Sequence, residues 1–216
     1  MEDYQDIIAK IKDAFLKHGL EKEDINKFFR RAIDSELEYL TNLYVTYGFN
    51  SEFYNKSNLE NLKSIIIPKD VLNFYIENEP QNMPILNSGV RLLSLKSIRD
   101  ENCSGEPSGY LIKYGIITIA TTIGGNVICL DLNELKNVET RVLIVDNNFC
   151  SYNDDLDCVE IINAPNDLIE KYADDEPIEL SYENIKKCVP EVAKSFSEFM
   201  YKLANDEYGN IEKIFL

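Results

Sequence analysis

Histidine is almost missing from this chain: His18 is the only one in 216 residues. A serine or cysteine nucleophile normally leans on a histidine base. His18 falls at the end of a surface helix, where a basic ring serves the helix dipole. A nucleophilic triad is thereby excluded. Zinc prefers Cys and His in close pairs, and no two of Cys103, Cys129, Cys150, Cys158 and Cys188 are separated by just two to four residues. Five is an odd number and the spacing is irregular, which fits a reducing compartment better than a disulfide framework. A calcium loop fails as well. Asn153, Asp155 and Asp157 suit its first positions, but Cys158 replaces the glycine and Ala164 stands where the bidentate Glu belongs. No metal and no cofactor is expected.

Basic residues are in short supply. Lys and Arg number 22 against 38 Asp and Glu, for a net charge of -16. From Asp146 to Leu216 there are 17 acidic residues against 6 Lys, so this third of the chain carries -11 of that total. Such a field repels phosphate backbones and anionic lipid and attracts basic partners. Solubility alone accounts for the acidity equally well. Direct nucleic-acid binding is excluded, since Lys10, Lys12, Lys17, Arg30 and Arg31 are balanced by nearby acids. Phosphate loops of the Walker and Gly-x-Gly-x-x-Gly kinds are missing. Gly124-Gly125 has no lysine partner and leads into a strand, not a helix N-terminus. No apolar run approaches the ~18 residues of a membrane span, and Met-Glu-Asp-Tyr-Gln-Asp at the start has no signal-peptide core. A cytoplasmic protein that avoids membranes is expected. Carboxylates are too numerous for any pair to stand out as acid and base, so no catalytic residue is assigned.

What is present is periodicity. Ile7, Ile8, Ile11 and Phe15 predict a helix over 3–18, stopped by Gly19. A second helix is expected over 21–47, with Ile25, Phe28, Phe29, Ile33, Leu37, Leu40 and Tyr44 as its stripe. The two make an N-terminal helical hairpin at 1–48, and a polar linker through Asn61 leads into an α/β domain at 49–216. Pro68 opens a helix at its first position. Strand-like runs follow at Val90–Ile98, Tyr110–Thr121, Val127–Leu132, Arg141–Asp146 and Cys158–Ile162. Gly105-Glu106-Pro107-Ser108-Gly109 puts its Ser one place late for a nucleophile elbow and reads as a loop. Gly124-Gly125 forms a hairpin turn. Beyond it Ile128, Leu130 and Leu132 share one strand face, and Val127, Cys129 and Asp131 the other. Short helices near Asn166–Tyr172 and Tyr182–Lys187 are expected, then a final helix from Pro190 with Val192, Phe196, Phe199, Met200 and Leu203 along one side.

Three blocks resemble the SUKH superfamily, which includes fungal cell-wall synthesis regulators and bacterial immunity proteins. They are Ile65-Ile66-Ile67-Pro68 with its short helix, Ile119-Ala120 through Gly124-Gly125 to Leu130-Asp131-Leu132, and Ser195-Phe196 with Phe199 in the closing helix. Asn126 follows the glycines where the family often has Asp, and the first two helices lie outside the resemblance. The resemblance implies an α+β fold, with a mixed, mostly antiparallel sheet flanked by helices. Pro68, Gly124, Gly125, Asp131, Phe196 and Phe199 are its structural motif residues.

It also implies a protein-binding role. The leading expectation is an immunity or antitoxin protein that masks a basic toxin such as a nuclease. Charge clustering points to Asp154, Asp155, Asp157 and Glu160, with Asp174, Asp175 and Glu176, as the binding surface. The alternatives are a scaffold of the cell-wall regulator kind and an enzyme with carboxylate chemistry, which needs a pocket holding two carboxylates in unlike environments.

Overall fold

A computed structural model of the chain describes residues 3–46, 62–104, 106–136, 139–173 and 176–215. The isoleucine stripe gives helix α1 (Tyr4–Lys17), which buries Ile7, Ile8, Ile11 and Phe15. Gly19 follows at φ +84°, where a glycine is favoured. The long second helix is broken. α2 (Lys22–Ile25) lasts one turn, β1 (Phe29–Arg30) is extended, and α3 (Asp34–Thr41) and α4 (Leu43–Thr46) come next. The cause lies far along the chain. β1 pairs antiparallel with β2 (Glu79–Pro80), which directly follows α5 (Lys69–Asn78). This brings an Arg30 Nη atom to 2.9 Å from the carboxylate of Glu79, whose side chain is 1% exposed. A carboxylate that deep needs a cation, and the local helical preference of 28–31 yields to it. Pro68 stands at the N-cap of α5, one place before the expected first position.

The central sheet has five antiparallel strands in the order β3 (Val90–Leu92), β4 (Ile116–Thr122), β5 (Val127–Lys136), β6 (Glu139–Val145) and β9 (Glu191–Ala193). Two expected strands are shorter because helices replace parts of them. α6 (Leu95–Ser104) starts where the Leu95 amide donates to Glu79 at 3.2 Å. It is held to β4 by Asn102, which donates to the Thr118 carbonyl and accepts from the Thr118 amide, both at 2.9 Å. α7 (Ser108–Leu111) and a 3-10 turn to Tyr114 precede β4. Ser108 is therefore not in an open loop: it is fully buried, accepts from Thr118 Oγ1 at 2.8 Å and donates to Glu101 at 3.0 Å.

Pro190 does not open a helix. Its carbonyl accepts from the Ile144 amide at 3.1 Å, and residues 191–193 extend the sheet at the β6 edge. The closing helix is α10 (Phe196–Ala204), capped by the Ser195 hydroxyl on the Glu198 amide at 3.1 Å.

Each sheet face covers its own core. Ile128, Leu130 and Leu132 pack with α1, α5 and α10 through Ile7, Ile11, Phe74, Phe196 and Phe199. The Tyr4 ring lies 5.3 Å from Phe74 and 6.1 Å from Phe196, so the N-terminal helix shares this core. Val127 and Cys129 face a second core with Phe149, Ile161, Leu168, Leu180 and Ile185. That layer comprises β7 (Cys150–Asn153), β8 (Cys158–Ile161), α8 (Asn166–Ile169) and α9 (Tyr182–Cys188). The boundary expected at residue 48 and the linker after it lie outside the described residues.

Candidate partner-binding face

β7 and β8 form a two-stranded hairpin in which Cys150 opposes Ile161 and Asn153 opposes Cys158. Asn153 shapes the tip, its side-chain oxygen accepting from the amides of Asp155 and Leu156, both at 3.1 Å. Asp157 completes the turn in the left-handed region at φ +52° and accepts a hydrogen bond from the Tyr152 hydroxyl. Asp154, Asp155 and Asp157 are exposed at this tip.

Residues 176–180 run antiparallel beside β8. The Ile161 amide donates to the Ile178 carbonyl and the Leu180 amide to the Val159 carbonyl, both at 2.8 Å. This register puts Glu160 opposite Glu179. The structure thus joins two acidic segments far apart in sequence: Glu160 on β8, and Glu176 with Glu179 on the neighbouring segment. Glu176 lies beyond the Glu160 pairing, on the side away from the tip. Asp174 and Asp175 lie outside the described residues. Glu179 was missed by charge clustering, yet the alternation of buried Ile178, exposed Glu179 and buried Leu180 marks it as outward-facing. Like charges directly opposite across a strand pair repel. No ion pair among the described residues engages Glu179 or Asp157. Exposed apolar side chains occur on the hairpin and just after it: Tyr152, Leu156 and Ile162 are 43–52% exposed.

A cleft of about 400 Å³ opens beside the hairpin. Tyr110, Lys113 and Tyr114 line it from the α7 segment, Tyr152 and Asp157 from the hairpin, and Glu179 from the strand-like segment. Its tyrosine hydroxyls are all committed. Tyr110 donates to Glu106 at 3.1 Å, Tyr114 to the Leu180 carbonyl at 2.6 Å, and Tyr152 to Asp157. Burial and the Glu106 contact push the Tyr110 hydroxyl up to about 12. Lys113 Nζ stands 5.5 Å from the Tyr110 ring centroid, and burial lowers its pKa. Cys158, also at the cleft, has its pKa raised by burial and by Glu179, Glu160 and Asp157. A thiol so shifted is a poor nucleophile.

The motif residues lie elsewhere. Phe196 and Phe199 are fully buried on α10. Asp131 is fully buried too, and its carboxylate is a junction. Oδ2 accepts from Arg141 Nε at 2.9 Å, from Arg141 Nη2 at 2.7 Å and from the Tyr182 hydroxyl at 2.9 Å. Oδ1 accepts from the Asn133 amide at 3.0 Å. Asp131 therefore ties β5 to β6 and to the start of α9, in the layer that carries the acidic hairpin. Among the described residues no group of three or more His, Cys, Asp or Glu side chains is arranged to hold a metal ion, and no helix is long and apolar enough to cross a membrane.

The model of the SMI1 / KNR4 family (SUKH-1) matches residues 57–202. The chain belongs to the SUKH-1 family. Comparison with curated proteins and with solved structures found no match. Family membership fits a protein-binding domain of the immunity or regulator type. In this SUKH-1 domain the match takes in the five-stranded sheet, the acidic hairpin and the cleft, and leaves out α1 to α4 and the last residues.

Those last residues contact the Gly turn. Glu212 accepts from the Gly124 amide at 3.1 Å and from the Asn126 side chain. Of the two glycines in the turn, only Gly125 has positive φ, at +86°. Gly124 answers a different need, because a Cβ there would sit 2.9 Å from the Glu212 carboxylate.

Proposed function

We propose that this SUKH-1 domain is an immunity-type protein of the cytoplasm that binds a basic protein toxin, such as a nuclease, and masks it without catalysis. The binding surface is the outer face of the β7–β8 hairpin with the adjoining 176–180 segment. The supporting observation is the register that sets Glu160 against Glu179, close to Asp154, Asp155 and Asp157. Like charges crowded this way cost folding stability, and a basic partner relieves that cost on binding. The exposed Leu156 and Ile162 beside the acids give the face the mixed apolar and charged make-up of an interface. A nuclease presents a basic surface to phosphates, and an acidic protein occupies it with fast, steered association.

The test uses a partner recovered from native lysate at low salt and identified. A single basic protein, released as salt rises, is expected. The variant with Asp154→Asn, Asp155→Asn, Asp157→Asn, Glu160→Gln and Glu179→Gln then associates at least about tenfold more slowly at low salt, with a flatter salt dependence. An unchanged association rate rejects this face. Several unrelated clients instead of one would favour a regulatory scaffold of the cell-wall regulator kind.

A further inference from the structure

We infer that the cleft beside the hairpin receives an arginine side chain of the basic protein partner. The inference rests on the partner-binding reading above and names what that surface recognises.

Three features of the cleft select a cation with a flat face. Its tyrosine rings, Tyr110, Tyr114 and Tyr152, come from two separate elements and supply aromatic surface. Their hydroxyls all donate to acceptors inside the protein, so the cleft has no tyrosine donors left to offer an anion. Asp157 and Glu179 line the same space, and no ion pair among the described residues engages either. Asp157 accepts one hydrogen bond from Tyr152, and a carboxylate has acceptor capacity for more.

Lys113 is the basic residue of the lining, and the two carboxylates outnumber it. Its ammonium already stands over the Tyr110 ring, which shows this aromatic wall accommodating a cation. A phosphate or carboxylate ligand would meet one lysine and two carboxylates, an unfavourable sum. A guanidinium is planar, weakly hydrated, stacks on aromatic rings and forks onto a carboxylate with two hydrogen bonds. An ammonium offers the charge without the stacking face or the fork. The volume, about 400 Å³, admits a whole side chain. The cleft lies beside the acidic tip, so a basic surface laid on the hairpin has an arginine within reach of it.

The experiment titrates the ¹⁵N-labelled full chain with hexa-arginine and, separately, hexa-lysine peptides at low salt, following amide shifts. Hexa-arginine is expected to bind at least about threefold more tightly than hexa-lysine, with shifts at Tyr110–Tyr114 and at Leu180. That preference is expected to fall to about one in Glu179→Gln and in Tyr152→Leu. Glu179 is exposed, so Glu179→Gln keeps the fold and carries the test even if Tyr152→Leu disturbs the hairpin. Equal binding of the two peptides, or shifts confined to Asp154–Asp157, overturns the arginine cleft and leaves the acidic-face reading standing. Failure of both peptides to bind at low salt overturns the acidic face and the cleft together.

Discussion

Replacing Asp131 with alanine withdraws the anion from the junction of β5, β6 and α9. The Arg141 side chain, 17% exposed, then keeps its charge with much of its water gone and loses the carboxylate 2.7 Å from its Nη2, while Glu191 lies at 3.9 Å. Breaking one side of a buried ion pair costs about 3–5 kcal/mol. The partly buried Tyr182 hydroxyl loses its hydrogen bond to Asp131, for about 1 kcal/mol more. Asn133 is exposed, so water replaces its bonds at little cost. The outer end of Arg141 regains some hydration, and the net expectation is about 4 kcal/mol. With a urea slope of about 2 kcal/mol/M the midpoint drops by about 2 M, read by far-ultraviolet circular dichroism. Arg141→Met is expected to cost a similar amount, because it strands a fully buried carboxylate. The double variant Asp131→Ala with Arg141→Met is expected to be at least about 2 kcal/mol less destabilised than the sum of the two single variants. A loss below about 1 kcal/mol for Asp131→Ala, or additive effects in the double variant, would refute the idea that this ion pair holds the layer together.

Two further predictions concern residues outside the binding face. Asp70 has its pKa raised chiefly by desolvation and further by Glu139, which together outweigh the lowering by the backbone amides of Val71 and Asp70. The folded state then binds more protons than the unfolded state as pH rises from the unfolded value near 4 through the raised one, so this group lowers stability across that window. Asp70→Asn is therefore expected to raise the urea midpoint at pH 7 and to give no gain near pH 3.5. An equal gain at both pH values, or a loss at pH 7, contradicts it. In the β4–β5 turn, Gly125→Ala is expected to cost about 1 kcal/mol because its φ is positive. Gly124→Ala is expected to cost less, since the Glu212 side chain can move, but to speed amide exchange at Gly124. The reverse ranking in urea melts would show that the Glu212 contact, not φ, governs the turn.

The residues that define α1, β5 and the Gly turn were legible because each pattern is complete within about fifteen residues. Ile7, Ile8, Ile11 and Phe15 repeat at 3.6, and Ile128, Leu130 and Leu132 repeat at two. β1 was not legible. Phe28-Phe29 continues a helical stripe, and what breaks it is Glu79, fifty residues away. β9 was hidden for a similar reason: Val192 suits a helix stripe as well as a strand, and the open edge of β6 decided the matter. Of the acidic residues, Asp154, Asp155 and Asp157 stood out by proximity in sequence. Glu179 did not, because its nearness to Glu160 is a property of strand register.

The sequence by itself determined the family, the α+β class, the acidity and the division of β5 into two faces, because these follow from composition, short motifs and local period. Only the tertiary structure decided which carboxylates face one another, which arginine reaches Asp131, and where three tyrosines from separate elements enclose a cleft. Those depend on closing loops of tens of residues, and the free energy of closure is settled by burial and ion pairing across the whole fold rather than by any window of the chain.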